Sequence, residues 1–352
     1  MIAVLISLLL TQSTSDLDAS LDVLAAVKPG DAAAYHAARE KILAFGKDAV
    51  PALAERAAPE RWTPAGWVRA MAAEACRLRL ANPELAAAVD RPEGLDPARY
   101  GLFRRPVPVV LPELARKGAD AVPLLLERWR WTFEEHKFSP AEAGEDERES
   151  FRKAILDLPG RISDPRARHF LAETLATAGL RDSWRQEAAV SLGMVGGTEA
   201  LSRLTAILDD ATQPAAVREA CARALGRIAD PAALDAIVNR AAGEKDAQVR
   251  RSFLQGLGLL GSSWAWESRG KALAATADRV RAGCADALVE ALRRVPAESE
   301  TIGIALSLTA WPASLAAVES LASDASASPE ARAAASSLLP GLRQALSRRR
   351  PK

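Results

Sequence analysis

Gly226-Arg227-Ile228-Ala229-Asp230-Pro231 repeats Gly160-Arg161-Ile162-Ser163-Asp164-Pro165 at five of six positions, 66 residues downstream. Half that interval falls on Gly193-Met194-Val195-Gly196-Gly197-Thr198, and Gly258-Leu259-Leu260-Gly261-Ser262-Ser263 extends the series. The leading glycines stand at 160, 193, 226 and 258, spaced by 33, 33 and 32 residues, a period that marks stacked two-helix units. An arginine precedes each by eight residues (Arg152, Arg185, Arg218 and Arg250), and Arg281 continues the ladder although Val289 replaces its glycine. An apolar residue sits just before each arginine: Phe151, Trp184, Val217, Val249 and Val280.

Cys221 and Leu225, Phe253 and Leu257, and Cys284 and Leu288 follow their arginines at spacings that share one helical face. The pattern predicts a first helix in each unit that ends near its glycine, where a left-handed C-cap costs little. Asp164-Pro165 and Asp230-Pro231 then read as an N-cap followed by Pro at the first helical position. Second helices carry the stripes Leu201, Leu204, Leu208 and Leu234, Ile237, Ala241. Neither helix can hide its apolar face alone, so the units must stack on one another.

Toward the amino terminus the repetition is looser. Gly46-Lys47-Asp48-Ala49-Val50-Pro51-Ala52-Leu53-Ala54-Glu55-Arg56 matches Gly118-Ala119-Asp120-Ala121-Val122-Pro123-Leu124-Leu125-Leu126-Glu127-Arg128 at eight of eleven positions, 72 residues apart. Between them Val68-Arg69 opens a segment running through Cys76 and Leu80, and the Pro-rich stretch 91–108 reads as a loop or broken helix. The register of 81–117 and 296–342 stays open at this level, and Gly270 breaks the pattern of one second helix.

Composition agrees with an all-helical chain. Of 352 residues 49% are hydrophobic, dominated by Ala and Leu rather than by β-branched and aromatic residues. Forty-six basic residues against forty-five acidic ones leave a net charge of +1, without the positive field of a dedicated nucleic-acid binder.

These residues resemble the HEAT repeat family, and the Val-Arg lead-in with Leu-Gly-Arg-Ile-Ala-Asp-Pro is similar to its phycobilisome-lyase-type branch. The resemblance covers residues 31–340 and is strongest over 150–295. It implies an all-α, right-handed αα-superhelix, a HEAT/armadillo-like solenoid, whose second helices line a concave binding face. The tetratricopeptide signature of Trp, Leu-Gly and Tyr at a 34-residue period is absent.

Along the chain the expected organisation is a leader at 1–15, divergent repeats at 16–130, an acidic insertion at 131–150, regular repeats at 151–295, divergent helical repeats at 296–342 and a basic tail at 343–352. The leader rests on the apolar run Ile2–Leu10 followed by Thr11-Gln12-Ser13-Thr14-Ser15. Nine helical residues reach roughly 14 Å against a hydrocarbon core of roughly 30 Å, so no transmembrane span is expected. The expected location is therefore exported, periplasmic or extracellular; if the run is instead a capping helix, the location is cytoplasmic.

No residue pattern demands chemistry, and no catalytic, cofactor or metal site is expected. His36, His136 and His169 form no His-Glu-x-x-His motif, and their followers Ala37, Lys137 and Phe170 lack the His-Glu pairs of HEAT-like iron hydroxylases. Cys76, Cys221 and Cys284 lack Cys-x-x-Cys spacing; Cys221 and Cys284, two units apart, would lie on the order of 20 Å from each other, beyond the roughly 7 Å disulfide limit. They are expected as buried apolar thiols. Glu134, Glu135, Glu142, Glu145, Asp146, Glu147 and Glu149 read as a solvated loop. The arginine ladder reads as structural, with Asp182, Asp246 and Asp278 pairing to Arg185, Arg250 and Arg281. Trp129 with Trp131, and Trp264 with Trp266, place two indoles two residues apart, where one helical face cannot bury both. These four are the candidate partner-binding residues, because exposed Trp beside Arg is the composition of interface hot spots; the alternative is that both rings of each pair pack against the long inter-repeat loops.

The functional expectation is a non-catalytic scaffold or adaptor that holds a protein or peptide along its concave face. A phycobilin-lyase-like or chaperone-like accessory protein is the alternative. A nucleic-acid-binding solenoid ranks behind both, because the second helices mix Glu199, Asp209, Asp235 and Glu267 with Arg203, Arg240 and Arg269.

Overall fold

The computed structural model describes residues 2–29, 31–90, 118–131, 145–267 and 274–348, with side chains from Thr14 onward except those of Ala32, Ala88, Arg130, Trp131, residues 145–151, Ala154 and Glu267. Every regular element among them is a helix, and the helices pack consecutively as an all-α solenoid. They group into two compact units, Met1–Glu173 and Thr174–Lys352.

The first unit begins with α1 (Ile2–Ala26), α2 (Ala32–Leu43), α3 (Val50–Arg56), α4 (Trp67–Ala81) and α5 (Pro83–Asp90). Its core packs Leu17, Leu21 and Leu24 of α1 against Tyr35 and Ile42 of α2, Leu53 of α3 and Cys76 of α4. Asp18 of α1 accepts bonds from Arg56 at 2.6 Å and from Arg69, which also reaches Asp22 at 2.6 Å. Helices α6 (Ala121–Trp131) and α7 (Glu145–Ile162) follow. The eleven-residue copies adopt one local structure: Gly46 and Gly118 take φ of 70° and 72°, a 3-10 turn follows at Lys47–Ala49 or Gly118–Asp120, and then α3 or α6 begins. A left-handed φ of this kind is costly to any residue with a Cβ. Residues 145–149, expected in a loop, instead open α7, where acidic residue types suit the positive end of the helix dipole. Glu134, Glu135, Glu142, His136, Gly270 and the stretch 91–108 lie outside the described residues.

Helix α8 (Arg168–Ala176) leads into the second unit, which holds α9 (Asp182–Val195), α10 (Thr198–Asp209), α11 (Ala215–Leu225), α12 (Pro231–Ala241), α13 (Ala247–Gly261) and the short α14 (Trp264–Glu267). It closes with α15 (Ala274–Arg294), α16 (Ser299–Thr309), α17 (Pro312–Ser323) and α18 (Pro329–Ser347). The predicted caps form. Asp230 accepts from the Ala232 N–H at 2.8 Å ahead of α12, and Asp164 accepts from the Arg166 N–H at 2.9 Å ahead of the 3-10 turn Pro165–Ala167.

The period-defining glycines are not left-handed caps. Gly160, Gly193 and Gly258 lie inside α7, α9 and α13, and Gly226 caps α11 with an ordinary right-handed φ of −66°. The left-handed residues fall later, at Ser163, Gly196, Gly197 and Ala310. In the second unit the glycines are required by the neighbouring helix. A Cβ on Gly193 would overlap the Ala224 carbonyl oxygen, one on Gly226 would stand 2.7 Å from Gly256 Cα, and one on Gly258 would stand 2.7 Å from Ala305 Cα. First helices thus meet backbone to backbone along α9, α11, α13 and α16, and α18 continues the row with the Leu338 side chain set against Gly303 of α16.

That row corrects the expected register. Val280-Arg281 repeats the first-helix pattern, but α15, which carries it, packs on α12 and α17 in the second row. Helix α16 takes the place beside α13 because Gly258 and Gly261 leave room for Ala305 and Thr309. On α15, Gly283 is where Leu234 of α12 fits.

Candidate interaction surface

The Trp264/Trp266 pair divides as its spacing requires. Ser262 ends α13 in an extended conformation, and the single turn of α14 follows with its Trp264 side in solvent. Trp264 is 53% exposed, whereas Trp266 is 7% exposed and its indole N–H donates to the Leu260 carbonyl at 2.8 Å. The Arg227 guanidinium, from the turn between α11 and α12, lies 5.5 Å from the Trp264 ring centroid. An indole held under a guanidinium keeps its orientation without being covered. Trp264 therefore presents a large, pre-oriented apolar face. Trp129 is a core side chain, edge-on to Phe170 at 5.8 Å; Trp131 closes α6, and its side chain lies outside the described residues.

Charges near the second-row helices neutralise one another between repeats. Arg240 of α12 grips Asp209 of α10 through two bonds of 2.8 Å, and Arg293 of α15 reaches Asp324, just past α17, at 2.7 Å. Arg343 of α18 pairs with Glu319 of α17 at 2.8 Å. Arg240 holds the Asp209 carboxyl below its usual range.

Two arginines of the ladder serve helix ends as well as acidic neighbours. Arg185 donates to the Leu175 carbonyl at 2.9 Å, and Arg281 donates to the Gly261 and Thr309 carbonyls at 2.9 Å each. All three oxygens sit at or beside helix C-termini, which leave carbonyls without partners of their own. The expected partners Asp182 and Asp278 stand at 3.8 and 3.7 Å. Arg250 departs from expectation, pairing with Glu298 at 3.8 Å, because Asp246 is occupied as the N-cap of α13, accepting from Gln248 and Val249. Arg218 pairs with Glu244.

Cys76, Cys221 and Cys284 are free and buried; burial pushes the Cys221 and Cys284 thiols up to about 12 and raises Cys76 as well. His169 is buried, its Nε2 2.8 Å from the Trp62 carbonyl oxygen. Among the described residues no three His, Cys, Asp or Glu side chains gather as a cation would need, and no helix is long and apolar enough to cross a membrane.

Sequence reasoning missed one polar cluster, in the first unit. Glu127 of α6 has no exposed surface; it accepts from Tyr35 at 3.2 Å and from Arg79 at 2.6 and 3.1 Å. Arg79 also donates to Asp90 at 2.5 and 2.9 Å, and Arg39 stands 3.8 Å from Glu127. The groups come from α2, α4, α5 and α6, so their meeting is invisible to local pattern. The one available signal was that Glu127-Arg128 copies Glu55-Arg56, yet Arg56 bonds to Asp18 near the surface.

Compared with known families, residues 182–258 match the family model described as HEAT repeats. No curated protein matches the chain.

Proposed function

We propose, from the premise that residues 182–258 belong to the HEAT repeats, that the chain is an exported, non-catalytic scaffold that holds a protein or peptide partner. The observation that carries this is Trp264: its indole is more than half exposed and oriented by Arg227, while Trp266 beside it is buried and hydrogen-bonded. A helical protein gains little from leaving a Trp in water, and Trp and Arg are both among the residue types enriched at binding hot spots. The interrepeat ion pairs Asp209–Arg240 and Arg293–Asp324 leave the second row with mixed charge, which favours a protein partner over a polyanion. A partner lying along the second helices, the concave face in HEAT solenoids, would reach Trp264 at its edge. Export rests on the apolar run Ile2–Leu10 with the small polar residues after it.

The test is an affinity pulldown from the native host with wild-type and Trp264→Ala chains. Loss of the same co-purifying protein by the variant, at unchanged melting temperature, is the expected result. Retention of every partner by Trp264→Ala would defeat the assignment of this surface. Cell fractionation reads export separately.

A further inference from the structure

Trp264 has a counterpart one unit along the first row. Trp264 stands just past Gly261, the last residue of α13, and Trp311 stands just past Thr309, the last residue of α16. Those two helix ends touch: a Cβ on Gly261 would overlap Thr309 Oγ1, and the Arg281 guanidinium donates to the Gly261 and Thr309 carbonyls at 2.9 Å each. The same guanidinium lies 5.6 Å from the Trp311 ring centroid, as Arg227 lies 5.5 Å from that of Trp264. Each ring is thus backed by one cation along the edge where first helices end, and the pair is separated by about one interhelix distance, roughly 8–10 Å.

Their indole N–H groups set these two apart. Trp62, Trp67 and Trp266 donate within the fold, to the Ala57 carbonyl at 3.0 Å, to Glu173 at 2.9 Å and to the Leu260 carbonyl at 2.8 Å. The N–H groups of Trp264 and Trp311 have no acceptor among the described residues, and their rings are exposed and half-buried respectively. An apolar ring with an open donor at its rim suits a ligand that is itself apolar and carries carbonyls without partners of their own. A helical ligand spends its carbonyls internally. A β-strand presents one face every second residue, at roughly 7 Å, short of the ring separation. A polyproline II segment has no internal hydrogen bonds, offers apolar proline rings, and at three residues per turn returns the same face every roughly 9 Å.

We infer that the edge carrying Trp264 and Trp311 binds a proline-rich segment in the polyproline II conformation, with proline rings against the two indoles and each indole N–H donating to a peptide carbonyl. Such a segment is already extended before it binds, so little chain entropy is lost on docking to an aromatic-lined edge. This rests on the scaffold reading and narrows its partner, and the experiment separates the two.

The full chain is titrated with a labelled polyproline peptide by fluorescence anisotropy, with a glycine–serine peptide of equal length as control, and the indole N–H resonances of an isotope-labelled sample are followed by NMR. Binding of polyproline alone, with the Trp264 and Trp311 N–H resonances moving downfield, is the expected result. Trp264→Phe and Trp311→Phe keep a ring and lose the donor; each is expected to weaken binding about tenfold at unchanged melting temperature. No binding of polyproline, or binding that both Phe variants retain in full, overturns the inference. If polyproline fails while Trp264→Ala still loses its co-purifying protein, the scaffold reading stands and the peptide class alone is overturned. If polyproline binds through both indoles while Trp264→Ala retains every partner, the scaffold reading is overturned and the peptide site stands.

Discussion

Gly226→Ala is expected to destabilise the second unit although it places a better helix former at a right-handed position. The added methyl would overlap the Gly256 carbonyl oxygen and stand 2.7 Å from Gly256 Cα. Both obstacles are backbone, so no side chain can rotate away and α11 must separate from α13. Forced overpacking costs about 1–3 kcal/mol, and contact between two main chains belongs at the upper end. Against this, Ala recovers about 1 kcal/mol of conformational entropy over Gly at a φ of −66°. The net loss is about 2 kcal/mol, which for a unit of this size lowers Tm by roughly 4–8 °C. Differential scanning calorimetry is the suitable assay, because two units need not melt together. Gly226→Asn should be at least as damaging, whereas a left-handed cap would tolerate Asn. Gly243→Ala is the control: its Cβ would meet open space, and no loss is expected. A Gly226→Ala protein that melts at or above the wild-type temperature would refute the backbone-contact explanation of the 33-residue period.

Other outcomes follow from the same contacts. Trp266→Ala should cost about 3–5 kcal/mol in denaturant titration, since it empties a buried indole site, whereas Trp264→Ala should leave stability within about 0.5 kcal/mol. Glu127→Ala should cost about 3–5 kcal/mol, because Arg79 loses its fully buried partner; a loss below 1 kcal/mol would mean the cluster is solvated in solution. The Arg56 and Arg69 guanidiniums hold the Asp18 carboxyl down to about 2, against 3.8 ordinarily. Its contribution is therefore complete above about pH 4 and lost as pH falls toward 2, so Asp18→Asn should flatten the dependence of Tm on pH in that window alone. Cys221 and Cys284 should react with a thiol reagent at pH 8 only as fast as the second unit opens, and labelling within the mixing time would contradict their burial.

The all-helical architecture, the two-helix unit and the Asp-Pro caps follow from the sequence alone, and the 264–266 spacing raises exposure of one indole beside the packing of both. Each is a property of a single segment: helix periodicity, a side chain bonding two residues ahead, or a spacing that one face cannot accommodate. Tertiary structure decided which row a helix joins and why its glycines are there. Val280-Arg281 repeats the first-helix pattern, yet α15 stands in the second row because Gly258 and Gly261 of α13 admit α16 in its place. Glu127 looks like the surface residue Glu55 until Tyr35 and Arg79, from helices distant in sequence, close over it. Local pattern records what a segment prefers, whereas close approach and desolvation depend on what stands opposite, and that is absent from any one repeat.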